Sequence, residues 1–315
     1  MMAAAAAAPL ATAAAQTPLP LPLHGRRVAF TTPPAYAGRL TRLLELRGAA
    51  PLPVPTVVVE PTPATLAALG RYLPPAGAGA ASSHEALDSF SALAFTSRTG
   101  ISAFALALSG TGGLPPPLAD TGEVFTVCAL GKDAEQLREG GFLARLCRNP
   151  RRVRVLVPEI ASPAGLVESL GRGSGRRVLC PVPEVVGLTE PPVVPDFLRG
   201  LAAMGWAAVR VPAYETRWAG PGCVEPVVGL DGPLDAVLFT STAEVEGLVK
   251  GLDSVGWEWA RVREQWPGML VAAHGPVTAD GAERMGVRVD VVGSSFSSFN
   301  GVLDALALKW AAAAT

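Results

Sequence analysis

The chain has 315 residues, with 26 Lys and Arg against 27 Asp and Glu, for a formal net charge of −1. That balance, with no basic stripe interleaved with aromatic residues, argues against a dedicated nucleic-acid binder. Apolar residues make up 49% of the chain and charged residues 17%; no apolar run outside the Ala-rich start reaches the roughly 18 residues of a membrane span, so none is expected.

Residues 1–24 are mostly Ala, Pro and Leu, and the first acidic residue is Glu45. Prolines break any secretory apolar core. The acid-poor composition reads as a plastid-type presequence over 1–25, and a plain disordered tail is the other reading. Folding is expected from Arg26. VAFTT (28–32) reads as a strand. A helix over 36–47 carries Leu40, Leu43, Leu44 and Leu46 on its apolar spacing and stops at Gly48. APLPVPTVVVEP (50–61) is extended and punctuated by proline, which cannot donate to a ladder, so it is an edge or linker strand. A short helix over 65–72 leads to a flexible loop at 74–83.

LAFTSRTGISAFALAL (93–108) is an apolar run, a hydroxyl-bearing turn and a helix. After a loop at 109–122, VFTVCAL (124–130) is a strand and Gly131-Lys132 opens a helix. A strand over 153–157 and a helix over 164–170 follow. A strand begins at 177–180, turns irregularly through CPVPEVVG (180–187), and leads to a helix over 194–204 that stops at Gly205. AAVRVPAYETRW (207–218) is again extended. The remainder alternates strand 236–239, helix 243–252, strand 269–273, helix 277–285, strand 289–292 and helix 301–310. Such alternation predicts an α/β protein with parallel sheets covered by helices on both faces, and the length allows about two domains.

The chain also repeats itself. Phe-Thr-Ser stands at 95–97 and at 239–241, and Gly131 and Gly275 are separated by the same 144 residues. The segment 27–49 matches 177–207, and 157–170 matches 291–306. A constant offset across separate segments points to a duplicated domain. Both hydroxyl turns open helices, whose N-termini offer unpaired N–H groups to an anion.

Cys128, Cys147, Cys180 and Cys223 lie far apart with no C-x-x-C, and read as core or near-core thiols. His24, His84 and His274 form no ligand pair, so no metal site is expected.

The segments FTSRTG (95–100), FTSTAEVEGL (239–248), HGPVTADGAERMGVRVD (274–290), VPAYETR (211–217) and SSFSSFNGVLDALA (294–307), in this order and spacing, resemble the uroporphyrinogen-III synthase family in a divergent, plant-like form. The resemblance implies two related α/β domains joined by a two-stranded linker. One domain would be 26–48 with 219–315, the other 57–208, and the linker strands 49–56 and 209–218. It implies cyclisation of the linear tetrapyrrole hydroxymethylbilane, with inversion of the last pyrrole ring and loss of water. No cofactor is implied, and the protein would be a plastid monomer.

The resemblance also assigns roles. Thr96, Ser97, Arg98 and Thr99, and their twins Thr240, Ser241 and Thr242, would hold substrate carboxylates or else cap helices and meet solvent. Gly275 and Thr278 lie in a Gly-Pro-x-Thr turn that would bind a carboxylate or cap a helix, with Gly131 and Lys132 as the first-half counterpart. Tyr214 would donate a hydrogen bond to the departing hydroxyl, or pack as an aromatic on the cleft wall. Two departures stand out. Thr31-Thr32-Pro33-Pro34 lacks the family's arginine, and 180–187 is apolar where the family carries cations. They leave open a second reading, a catalytically inactive paralogue that binds a tetrapyrrole or another polyanion.

Overall fold

The computed structural model describes residues 21–74, 85–110, 114–295 and 298–313. Most of the expected presequence, nearly all of the 74–83 loop, part of the 109–122 loop, and Phe296 and Ser297 lie outside the described residues. Eleven strands are described: β1 (Arg27–Phe30), β2 (Ala50–Pro53), β3 (Val57–Glu60), β4 (Ala92–Ala94), β5 (Phe125–Cys128), β6 (Val153–Leu156), β7 (Arg177–Val186), β8 (Ala207–Trp218), β9 (Ala236–Phe239), β10 (Leu270–Ala273) and β11 (Val291–Val292).

They form two sheets. One has the order β11-β10-β9-β1-β2 and the other β3-β8-β7-β4-β5-β6. If β1 and β7 are each counted as the first strand of a unit, both sheets show the doubly wound order 2-1-3-4-5, and the second adds β3 at its edge. The sequence repeat is therefore a repeat of topology. In such sheets ligands bind beyond the carboxyl ends of the strands at the point where the order reverses. Here those points lie between β1 and β9 and between β7 and β4.

Side chains alternate across each sheet with the two-residue period of a strand. Ala29, Val237, Phe239 and Val271 enter one core of the five-stranded sheet; Val28, Phe30, Ala236, Leu238 and Ala272 enter the core on its other face. Leu93, Phe95, Phe125 and Val127 likewise oppose Ala92, Ala94, Cys128 and Val178 in the six-stranded sheet. Burying a large apolar side chain stabilises by about 1.5–3 kcal/mol, so these four clusters hold both sheets between their helices. Cys128, Cys147 and Cys180 are buried within them, Cys223 is half-buried, and all four are free thiols.

The helix Pro34–Leu46 starts two residues before its expected start, because proline at the first helical position is already set for the helix. Leu40 and Leu44 bury its inner face. Gly48 and Gly205 take φ of +83° and +80° and end their helices in the left-handed region.

Three expectations need correction. The first is that not every strand pair is parallel: β3 runs antiparallel to β8, with Val59 opposite Thr216. Second, 180–187 is not a turn. β7 runs on to Val186 because it pairs with β8 throughout, with a register shift between Val182 and Pro183. Its pairing with β4 stops at Leu179, so Pro181 and Pro183 fall where that side needs no further donor. Third, the helix expected to open at Gly131 is broken into short 3-10 and α-helical pieces. It begins as a 3-10 turn, Gly131–Ala134, and is interrupted by Gly140 and Gly141, both at positive φ.

The segments expected as linker strands lie within the sheets. Ala50–Pro53 pairs with β1 at the edge of the five-stranded sheet, and β3 pairs with β8 in the six-stranded one. The chain passes from one sheet to the other between β2 and β3 and again after β8. Among the described residues no helix is long and apolar enough to cross a membrane.

Candidate functional site

The two reversal points open onto one cleft of about 690 Å³. Three walls enclose it. The turn after β1 and the helix that follows contribute Thr32 to Tyr36 and Arg39; the turn after β9 contributes Thr240, Ser241 and Glu244, and Phe299 stands beside them. The turn after β4 contributes Ser97, Arg98 and Thr99. The β3–β8 ribbon supplies the floor with Val59, Tyr214 and Thr216. Tyr214 and Thr216 reach one side of that ribbon because they are two residues apart.

Each hydroxyl turn follows from its local sequence. A short apolar run ends at Phe95 or Phe239, both fully buried, and the Ser two residues on takes extended backbone as a helix cap. Ser97 Oγ accepts from Gly100 N at 3.1 Å, and Ser241 Oγ accepts from Glu244 N at 3.4 Å. The capping and cleft-facing readings of these serines are both realised, because one oxygen can serve its helix and still line the cleft.

Ser97 Oγ also bonds Tyr214 Oη at 3.0 Å. Burial, opposed by that bond, pushes the Tyr214 phenol up to about 12. It therefore stays protonated across neutral pH and carries a proton it can share in a hydrogen bond. Arg98 sits at the rim, about half exposed, with Nε on Asp133 Oδ1 at 3.1 Å. Across the cleft Tyr36 Oη bonds Thr99 Oγ1, which joins the helix after β1 to the turn after β4. The Arg39 guanidinium lies 5.9 Å from the Phe299 ring centre.

Of the residues singled out in the sequence, Ser97, Arg98, Thr99, Tyr214, Thr240 and Ser241 line this cleft. The others do not. Thr96 lies in the turn beside it. Thr278 is buried and donates to the Thr240 carbonyl at 3.4 Å, so it buttresses the cleft turn from behind. Gly275 precedes Pro276 at the start of that helix and caps it with no side chain. Thr242 donates to the Val277 carbonyl and lines a separate hollow with Thr189 and Glu246. Gly131 has φ +45°, and Lys132 is exposed outside the cleft. That turn meets the site through Asp133, which pairs with Arg98.

Sequence reasoning passed over Thr32, Tyr36, Arg39, Thr216, Phe299 and above all Glu244. Glu244 is the residue of greatest electrostatic interest. Its side chain is buried, with Oε2 accepting from Thr31 Oγ1 and from Thr240 N, each at 2.8 Å, and Oε1 bonded to Thr240 Oγ1. Burial raises its pKa, and the bonds from Thr240 and Thr31 work against that rise. The signal in the sequence was an acid three residues past a capping Ser, which reads as a routine helix-start residue. Among the described residues no group of three or more His, Cys, Asp or Glu could hold a metal ion.

The cleft thus combines helix N-termini, the hydroxyls of several Ser and Thr residues, the phenols of Tyr36 and Tyr214, the guanidiniums of Arg39 and Arg98, and the buried carboxyl of Glu244. Such a set can hold several carboxylates and donate a hydrogen bond to a leaving oxygen.

Comparison with known proteins gives the same direction. The sequence model of the family described as Uroporphyrinogen-III synthase HemD matches residues 38–300. A mutant uroporphyrinogen III synthase from the extremely thermophilic bacterium Thermus thermophilus superposes with a TM-score of 0.52 at 19% identity, covering 92% of this chain and 99% of its own; at that identity it shows the fold. The uroporphyrinogen-III synthetase of Helicobacter pylori gives a TM-score of 0.46 at 12% identity over 92% and 100% of the two chains. No curated protein gives a significant match.

Proposed function

The chain belongs to the uroporphyrinogen-III synthase family, enzymes of tetrapyrrole biosynthesis, and from that premise we propose that it converts hydroxymethylbilane to uroporphyrinogen III in the cleft between its two sheets. The observation that carries this reading is the meeting of Tyr214 with both hydroxyl turns in one cleft. The substrate bears eight carboxylates and a hydroxymethyl group. Its carboxylates are held by Thr99, Thr240 and Ser241, by the N–H groups of the two helix starts, and by Arg39 and Arg98 at the rim, while Ser97 gives its hydrogen to the Tyr214 oxygen and leaves the phenol proton free. The protonated Tyr214 phenol donates a hydrogen bond to the hydroxyl that leaves as water. The cationic chain that remains is shielded from water by the apolar floor and by the Tyr36–Thr99 contact over the opening. The carbon that lost the hydroxyl bonds to the substituted α-carbon of the last ring, the bond from that carbon to its old methylene bridge breaks, and the freed bridge carbon bonds to the ring's other α-carbon, which sheds a proton in place of the one the departing hydroxyl took up.

The reading extends to the plastid, because residues 1–25 contain no acid and are composed like a presequence, and to a monomer serving haem and chlorophyll synthesis. The test is a coupled assay that supplies freshly made hydroxymethylbilane and separates the oxidised products by chromatography. An excess of the type III isomer supports the reading. Type I alone, the product of unassisted closure, from folded protein assigns the cleft to binding without catalysis. The second reading has one observation in its favour: Pro33 and Pro34 stand where the family carries an arginine, so the β1 turn adds no cation of its own.

A further inference from the structure

Glu244 has a place that neither capping nor packing explains. Its carboxyl bridges the ends of β1 and β9, at the point where strand order reverses, and it is 2% exposed. Oε2 takes two donors, Thr31 Oγ1 and Thr240 N. Thr31 Oγ1 also reaches the Leu238 carbonyl at 3.3 Å, and Thr56 Oγ1 donates to the Glu244 carbonyl at 2.8 Å. Oε1 meets Thr240 Oγ1, which lines the cleft and lies 3.5 Å from Thr32 Oγ1, also in the cleft wall.

A hydroxyl has one hydrogen to give. If the carboxyl is ionised, Thr240 Oγ1 must donate to it and presents only lone pairs to the cleft. If the carboxyl is neutral, Oε1–H donates to Thr240 Oγ1 and frees the threonine hydrogen for Thr32 or for a ligand. The two protonation states therefore give the cleft hydroxyl opposite polarity, and only one of them suits a carboxylate.

We propose that Glu244 works as a neutral carboxylic acid whose proton holds the Thr240 hydroxyl as a donor toward the cleft, making Glu244 a positioning residue for a carboxylate of the ligand. The inference rests on the polycarboxylate reading of the cleft given above. Burial favours the neutral acid, against the pull of the hydrogen bonds that reach the carboxyl. The influences on the carboxyl are burial and hydrogen bonds from Thr240, Thr31 and Ser241, with no cation among them. The side chains facing it from β1 and β9 are threonines. The titratable groups elsewhere in the cleft are Tyr36, Arg39, Arg98 and Tyr214. Its own helix adds Glu246, which accepts from Thr189, and Lys250, which donates to the Gly187 carbonyl.

The test compares Glu244→Gln and Glu244→Ala with wild type in two measurements. The glutamine amide can donate to Thr240 Oγ1 while its oxygen accepts from Thr31 and Thr240 N, so it copies the neutral acid. In the isomer assay it is expected to keep KM within about twofold of wild type, whereas Glu244→Ala raises KM about tenfold, the loss expected for one hydrogen bond to a charged group. The wild-type KM rises with pH as Glu244 ionises, and the Gln variant lacks that rise. The infrared difference between wild type and Glu244→Gln at about pH 7 should show the carbonyl band of a protonated carboxyl. A Gln variant as impaired as the Ala variant, or an infrared difference showing only ionised carboxylate, overturns the inference. If wild type makes no type III isomer, the catalytic reading fails by itself, and the infrared band still decides whether Glu244 holds its proton.

Discussion

The turns at 95–100 and 239–244 share Phe-Thr-Ser and the same Ser cap, yet they present different chemistry to the one cleft they face. In the first, Ser97 adds a bond to the Tyr214 phenol, and Arg98 places a cation at the rim. In the second, the position three past the serine is Glu244, whose carboxyl turns inward to Thr31 and Thr240. Its counterpart in the first turn is Gly100. A Cβ there would stand 3.2 Å from the Pro181 carbonyl of β7, closer than an ordinary contact, so this copy leaves little room for a side chain. The lesson is that a duplicated backbone frame keeps the cap and the helix start, while the strand lying opposite decides which chemistry each copy can hold.

The largest expected effect tests the shared frame. Phe95 and Phe239 are both fully buried. Truncation to Ala at either should cost about 3–5 kcal/mol in urea unfolding, and to a similar extent in the two copies. A cost well below that range at one of them would break the equivalence. The next effect sharpens the difference. Ser241→Ala removes a cap worth about 1 kcal/mol, whereas Ser97→Ala also strips the buried Tyr214 hydroxyl of its partner, adding about 1–3 kcal/mol. Equal losses in the two variants would mean that the phenol finds another partner.

A smaller effect concerns the rim. Arg98→Ala should change stability by less than about 1 kcal/mol, since its pair with Asp133 is half exposed. It should nonetheless weaken binding of an octacarboxylate porphyrin, measured by fluorescence titration, by about tenfold. The last effect is defined by its sign. Glu244 has a raised pKa in the folded state, so between its unfolded and folded values the native protein holds the extra proton. Its contribution is complete below the unfolded pKa and is lost as pH rises through the folded one. Denaturation measured against pH should therefore show wild type losing stability relative to Glu244→Gln as pH rises. The opposite slope would show that the carboxylate is the favoured form.

Much of the fold was legible because its strands are short apolar runs followed by hydroxyl turns, and because the 144-residue repeat fixes their order. β9 was read to the residue, from Ala236 to Phe239. The strand β7 was cut short in the sequence because Pro181 and Pro183 resemble turn residues; only its pairing with β8, and the end of its pairing with β4, explain why they are tolerated. Ser97 was legible because its own segment carries both the turn and the side chain, whereas Tyr214, inside β8, was singled out through the family resemblance. The site was not legible where the partner lies far along the chain. Thr31 is 213 residues from Glu244, and Tyr36 is 63 residues from Thr99. Thr278 was singled out for the family-like Gly-Pro-x-Thr turn, and Lys132 as its first-half counterpart. The first is buried behind the cleft, and the second points outside it.

The central claim is that the cleft performs ring closure with Tyr214 as its proton-bearing group, and the most direct measurement is the isomer ratio made by Tyr214→Phe. The substitution keeps the ring on the floor and removes only the oxygen bonded to Ser97. The account predicts abundant type III product from wild type and a ratio shifted toward type I in the variant, with the fold intact by circular dichroism. Type III product undiminished in Tyr214→Phe would contradict the role given to the phenol.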